Sequence, residues 1–313
     1  MLTDGATLLD VLPLDAAPVW RDRRDHRVLL HAPAAKSLTI GTTCPILLQS
    51  SLRRSRVQVK SFSLRVLHAH GQESKVDTGV VHFLSRQRSL RGLLLFLSWG
   101  YNTAILATIA SLSSLRKLHM LLDEGKRYRQ HTRYNGELAG GLPELRELRV
   151  YALDHWTLNR RSFPGLVGDL ARGARALRVL EVDLPSAADR DAVLQLRGLE
   201  HVHLHVFKDA ERPQSTADVV REAFAFLFQM DTTALQSVAI WLGPGAANVN
   251  WLAELTQSRK VAQEFLASMP HVLFDVFYGR TTKTNDWYRE IINRLEKNRP
   301  ADAVCLFRYP KLN

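Results

Sequence analysis

Three histidines alternate along His201-Val202-His203-Leu204-His205. In an extended segment, period two puts all three on one face of a strand. Two imidazoles on one face can share a zinc ion, and Glu181 or Asp183 from a neighbouring strand could add a carboxylate. That arrangement would make the chain a metal-dependent enzyme working through His201, His203 and His205. The competing reading is a row of solvated imidazoles on a binding wall, which the lack of any other ligand at metal-site spacing favours. His68-Ala69-His70 is a shorter version of the same pattern. A second signal is the acid-free run Lys126-Arg127-Tyr128-Arg129-Gln130-His131-Thr132-Arg133-Tyr134. Cations interleaved with tyrosines could neutralise phosphates and stack bases. A solvated loop between two strands is the plainer alternative, because no nucleic-acid-binding module accompanies the run. No phosphate-binding loop, dinucleotide glycine motif or nucleophile elbow is present, and Gly243-Pro244-Gly245 reads as a turn. The sequence therefore points to no catalytic residue, no metal and no cofactor.

Whatever these residues do, they must be held by a folded scaffold. The chain has 313 residues, 46% hydrophobic and 23% charged, which excludes a disordered, collagenous or disulfide-stapled protein. The net charge of +11 is unevenly spread: residues 1–150 hold 22 Lys/Arg against 12 Asp/Glu, whereas the remainder holds 20 against 19. A basic N-terminal half attracts acidic proteins, nucleic acid or anionic lipid. Cys44 and Cys305 have no metal-type spacing; they could form a single long-range disulfide, but free thiols in a reducing, intracellular compartment, cytoplasmic or nuclear, are the simpler expectation. Residues 1–18 show no secretory pattern. The 24 uncharged residues between Arg91 and Arg116 are long enough to span a membrane, but Trp99-Gly100-Tyr101-Asn102-Thr103 breaks them with a turn and a helix N-cap. No membrane partner is expected.

The chain repeats itself. Leu142-Pro143-Glu144-Leu145-Arg146-Glu147-Leu148-Arg149-Val150 reads as three apolar anchors at spacing three and a fourth at spacing two. Leu112 to Met120, Ala174 to Val182 and Leu196 to Leu204 match all four anchors. Partial copies fall at Ala32 to Ile40, Ser51 to Val59, Gln87 to Leu95 and Thr232 to Ile240, with a degenerate one near Met269 to Phe277. The last apolar-x-apolar step predicts a short strand, and the earlier anchors pack in the turn that feeds it. Helical returns are predicted over Ala104–Leu112, after Phe163-Pro164, over Ala187–Leu196, over Ala217–Met230, over Asn250–Met269 and over Asn285–Lys297, several opened by capping Ser, Thr or Asn. One unit cannot cover its own apolar face, but a stack can. The expected fold class is therefore α/β, a right-handed αβ solenoid with parallel strands on the concave face and helices outside. Residues 1–27 would be an N-terminal segment or cap, 28–278 the solenoid, and 279–313 a C-terminal helix–strand cap.

This pattern resembles the leucine-rich-repeat family, in the irregular helix-backed form found in the arms of F-box substrate receptors. The resemblance covers about residues 28–278. It departs from the family in two ways: there is no asparagine ladder, and the three-helix F-box is not visible, Val11-Leu12-Pro13-Leu14 being the nearest match to its Leu-Pro opening. The resemblance implies a protein–protein interaction scaffold, not an enzyme, that recruits a substrate for ubiquitylation through a ligase adaptor. In such a stack the spacer residues of each strand face the partner. One row is Thr39, Gln58, Leu94, His119, Arg149, Glu181, His203 and Ala239. The next is Gly41, Lys60, Phe96, Leu121, Tyr151, Asp183, His205 and Trp241. From these, Arg149, Tyr151, Glu181, Asp183, His203, His205 and Trp241 are the expected protein-binding residues, while Leu94, Phe96 and Leu121 are expected to be covered. Nucleic-acid binding through the basic half is the alternative from another class.

Overall fold

The computed structural model describes residues 37–42, 49, 52–66, 73–97, 101–122, 134–152, 165–206, 216–242, 264, 267, 272–278 and 304–305. Nine strands follow one another along the chain: β1 (Ser37–Thr42), β2 (Ser61–Val66), β3 (Gly92–Leu97), β4 (Lys117–Leu122), β5 (Glu147–Ala152), β6 (Val179–Asp183), β7 (His201–Val206), β8 (Ser237–Leu242) and β9 (Leu273–Tyr278). They lie side by side in that order in one parallel sheet. A two-residue strand, β10 (Val304–Cys305), pairs with β1, so this piece of the C-terminal segment lies beside the first strand and not the last. Helices α1 (Glu73–Leu84), α2 (Thr103–Ala110), α3 (Leu166–Gly173), α4 (Ala187–Leu194) and α5 (Thr216–Leu227) fill five of the connections. The molecule is thus α/β, with an all-parallel sheet in chain order.

The repeat explains this register. Leu118 pairs with Leu148, Leu148 with Leu180, and Leu180 with Val202 across adjacent strands. All sixteen anchors of the four complete copies are buried, from Leu112 at 6% exposure to Leu204 at 0%. They join one continuous core that also takes in the inner faces of the helices. Burying a leucine side chain contributes about 1.5–3 kcal/mol. That offsets the roughly 1–2 kcal/mol cost of holding Leu142, a first anchor, at a left-handed φ of 62°.

One copy is placed differently from the sequence reading. Val57 and Val59 do not form a strand; β2 starts at Ser61, and Phe62 and Leu64 pair with Leu93 and Leu95. Gln58 and Lys60 are therefore not wall residues. The pattern fits better with Val59, Phe62 and Leu64 as anchors, all buried. Val57 and Val59 are held instead by the buried side chain of Gln87, which donates to Val57 O (2.8 Å) and accepts from Val59 N–H (2.9 Å). A side-chain amide can stand in for a strand partner because it offers one donor and one acceptor, like a peptide. From Leu38 to Phe274 the corrected copies advance in eight steps of about 30 residues.

The segment between Arg91 and Arg116 divides into β3 and α2, as the turn residues predict. Asn102 caps α2 by accepting from Ile105 N–H (2.9 Å) and donates to Asp77 Oδ2 of α1 (2.6 Å). No helix among the described residues is long and apolar enough to cross a membrane. Neighbouring returns are also joined through polar groups: Gly168 N–H of α3 donates to Asp189 of α4 (2.7 Å), and Tyr134 donates to Asp169 of α3. Helix α1 has no counterpart in the sequence reading. The expected helices Asn250–Met269 and Asn285–Lys297 fall outside the described residues, apart from Glu264 and Ala267.

Candidate functional site: a charged wall on the sheet

Parallel strands are ordinarily apolar on both faces. Here one face carries the anchors and the other carries ionisable side chains. On β4 to β7 these face-mates are Lys117 and His119, Glu147 and Arg149, Glu181 and Asp183, and the three histidines. Strands about 4.8 Å apart bring such rows into lateral contact. The register aligns His119 with Arg149, Arg149 with Glu181, and Glu181 with His203.

The outcome is one network across four strands. Glu147 Oε2 meets Lys117 Nζ at 2.9 Å, and its Oε1 meets His119 Nε2 at 2.9 Å and Arg149 Nε at 2.7 Å. Arg149 reaches the other way, with Nη1 3.1 Å from Glu181 Oε2. Glu181 Oε1 takes His205 Nε2 at 3.1 Å, and its Oε2 lies 3.5 Å from His203 Nδ1. Two carboxylates and two fixed cations thus alternate along the face. Glu181 and His205 are almost fully covered, at 2% exposure each, whereas Lys117 is open to solvent.

The network sets protonation. Burial pushes Glu147 towards protonation, but His119, Arg149 and Lys117 outweigh it and hold the carboxyl below the ordinary range. Burial acts on Glu181 in the same sense, and His203, His205 and Arg149 again prevail, leaving it well below its usual value. Burial, joined by the charge of Arg149, lowers His119 against the pull of Glu147, 2.9 Å away. Both carboxylates are held ionised and occupied, opposite to the shift a general acid needs near neutrality. The arrangement can present a fixed pattern of charge.

Of the residues expected to bind a protein, the structure brings Arg149, Glu181, His203 and His205 together in this network. Asp183 lies on the same face of β6, half-buried, beside His205 in register. Tyr151 and Trp241 have described backbone in β5 and β8, and their side chains lie outside the described residues. Phe96 is covered, at 3% exposure. Leu94 is half-buried, and the side chain of Leu121 lies outside the described residues. The three histidines do not converge on one point. His201 turns to Ser237 Oγ (2.7 Å), while His203 and His205 both face Glu181, already bound to Arg149. No group of three or more potential ligands able to hold a metal occurs among the described residues. The run Lys126–Arg133 lies outside them, and Tyr134 is buried, its hydroxyl raised above the usual phenol range by burial and by Asp169.

Sequence reasoning missed Lys117 and Glu147. It followed the alternation forward from each strand's third anchor. One step backward along the same period-two alternation reaches Lys117, Glu147, Val179 and His201. No family model matches the chain, and no curated protein matches it.

Proposed function

We propose that the chain is a leucine-rich-repeat-like αβ solenoid whose concave, charged wall docks a protein partner, as the substrate-recognition arm of an F-box receptor does. The observation that carries the reading is the ion network from Lys117 to His205 on the face of the sheet opposite the core. Its supporting reasoning is physical. Strands in chain order, with β4 to β7 each preceded by the same buried turn, are what stacked repeats require. The more open positions of the network, Lys117 and His203, are where a partner would make contact. Side chains already locked by their neighbours lose little freedom when a partner arrives, so the wall is preorganised for docking. Affinity would come from a few central side chains, with rim charges steering the encounter.

The test is affinity purification of the tagged full chain from cells, with quantitative mass spectrometry of the bound proteins. The wild type is compared with Lys117→Glu and His203→Ala, both at the more open positions of the network. A partner retained at stoichiometric level by the wild type and lost from both variants, at unchanged melting temperature, supports the wall. A partner retained equally by all three, or none at all, refutes it. Absence of a ubiquitin-ligase adaptor from the wild-type eluate refutes the F-box-type assignment separately.

A further inference from the structure

A second charged feature runs along the starting edge of the strands, beside the wall. In each coil the residue after the second anchor turns its carbonyl to the next coil, where it accepts two successive N–H groups. Lys60 O takes Arg91 N–H (2.7 Å) and Gly92 N–H (3.0 Å), and Arg91 O takes Arg116 N–H (2.8 Å) and Lys117 N–H (2.9 Å). Arg116 O, Arg146 O and Arg178 O repeat the arrangement into β5, β6 and β7. This ladder fixes five consecutive cations, Lys60, Arg91, Arg116, Arg146 and Arg178, one per strand. At about 4.8 Å per strand the column is roughly 19 Å long. The next two places hold Glu200 and Gln236, so the basic column ends at β6.

The column is open to solvent and under-neutralised. Lys60, Arg91, Arg146 and Arg178 are exposed. Arg178 is paired with Glu200, and among the described residues the acidic contact of Arg116 is a distant, exposed one with Glu144, at 3.9 Å. Among the described residues, no acidic group pairs with Lys60, Arg91 or Arg146. A ladder of like charges this close raises the local potential and costs self-repulsion, which an anionic partner relieves. Four of the five are arginines, whose planar forks suit carboxylates and phosphates alike. What surrounds them separates the two. The turn positions beside the column hold Gln58, Ser89, Ser114, Glu144 and Ala176, and among these described residues there is no aromatic ring on which a single-stranded base could stack.

We infer that the column Lys60–Arg91–Arg116–Arg146–Arg178 is a docking edge for an acidic segment of a protein partner, laid across the starts of β2 to β6. The edge is separate from the ion network on the wall, and either can fail without the other.

The experiment measures binding of a fluorescein-labelled poly-glutamate peptide to the full chain at low salt by anisotropy, with single-stranded RNA and duplex DNA oligonucleotides alongside. Arg91→Gln/Arg116→Gln/Arg146→Gln should weaken peptide binding about tenfold, as loss of three exposed ion pairs implies. A control with equal charge loss elsewhere, Arg54→Gln/Lys75→Gln/Arg221→Gln, should change it less than about twofold by the same reasoning. The conservative triple Arg91→Lys/Arg116→Lys/Arg146→Lys should retain most of the affinity. Carbodiimide coupling of the peptide to the wild type, mapped by mass spectrometry, should mark Lys60, which keeps the inference testable if a variant unfolds. No peptide binding, equal loss in the control, or coupling at Lys75 without Lys60 overturns the inference. So does tighter binding of either oligonucleotide that is lost in the same edge variant, which would make the column a phosphate surface.

Discussion

Glu181→Ala removes the carboxylate on which Arg149, His203 and His205 converge from the two flanking strands. Removing one partner of a buried ion pair costs about 3–5 kcal/mol, because the other is left without compensation. Arg149 keeps Glu147 at 2.7 Å after the change, and this places the expected loss at the lower end, about 3 kcal/mol. Glu200→Ala is the internal comparison. Its partner Arg178 is more than half exposed, and an exposed pair contributes at most about 1 kcal/mol. The assay is urea unfolding at pH 7 followed by circular dichroism, with hydrogen exchange on β5 to β7 to catch a local opening, since parts of one structure need not open together. A loss for Glu181→Ala within about 1 kcal/mol of that for Glu200→Ala would refute the buried-network argument. The pH dependence has a definite sign. Glu181 is depressed in the folded chain, so its stabilisation is complete above the ordinary value of 4.5 and is lost as pH falls towards the folded value. The stability gap between wild type and Glu181→Gln should therefore close on acidification below pH 4.5.

His119 is lowered from 6.5 by burial, so the unfolded chain takes up a proton first as the solution is acidified. Urea midpoints should therefore fall as pH drops below 6.5, and His119→Asn should flatten this part of the profile; an unchanged slope contradicts the assignment. Gly173→Ala places a Cβ 2.2 Å from Gly141 O, a backbone atom that cannot swing aside. An overpacking loss of about 1–3 kcal/mol is expected, and a variant as stable as the wild type in urea would show that the coils can separate there. Asn102→Ala removes both the cap on Ile105 N–H and the bond to Asp77, so thermal unfolding should report a loss of about 1–2 kcal/mol. A change below about 0.5 kcal/mol would indicate that water replaces both contacts.

The sequence alone determined which residues share a face. Period two within Leu148-Arg149-Val150 or Val202-His203-Leu204 is a local property, fixed by the alternation of any extended chain. It also anticipated the order of the strands, because successive copies of the anchor pattern pair laterally, Leu118 with Leu148, Leu148 with Leu180 and Leu180 with Val202. The start of β2 escaped it, because Val57 and Val59 carry the same alternation as Phe62 and Leu64, and only pairing with Leu93 and Leu95 separates them. Tertiary structure alone decided which charges meet. Arg149 and Glu181 are 32 positions apart and His205 is 24 beyond Glu181, distances along the chain set by returns of unequal length. Lateral register is a property of the assembled sheet, so the convergence on Glu181 and the alignment of Lys60 with four arginines emerge only when the strands pair.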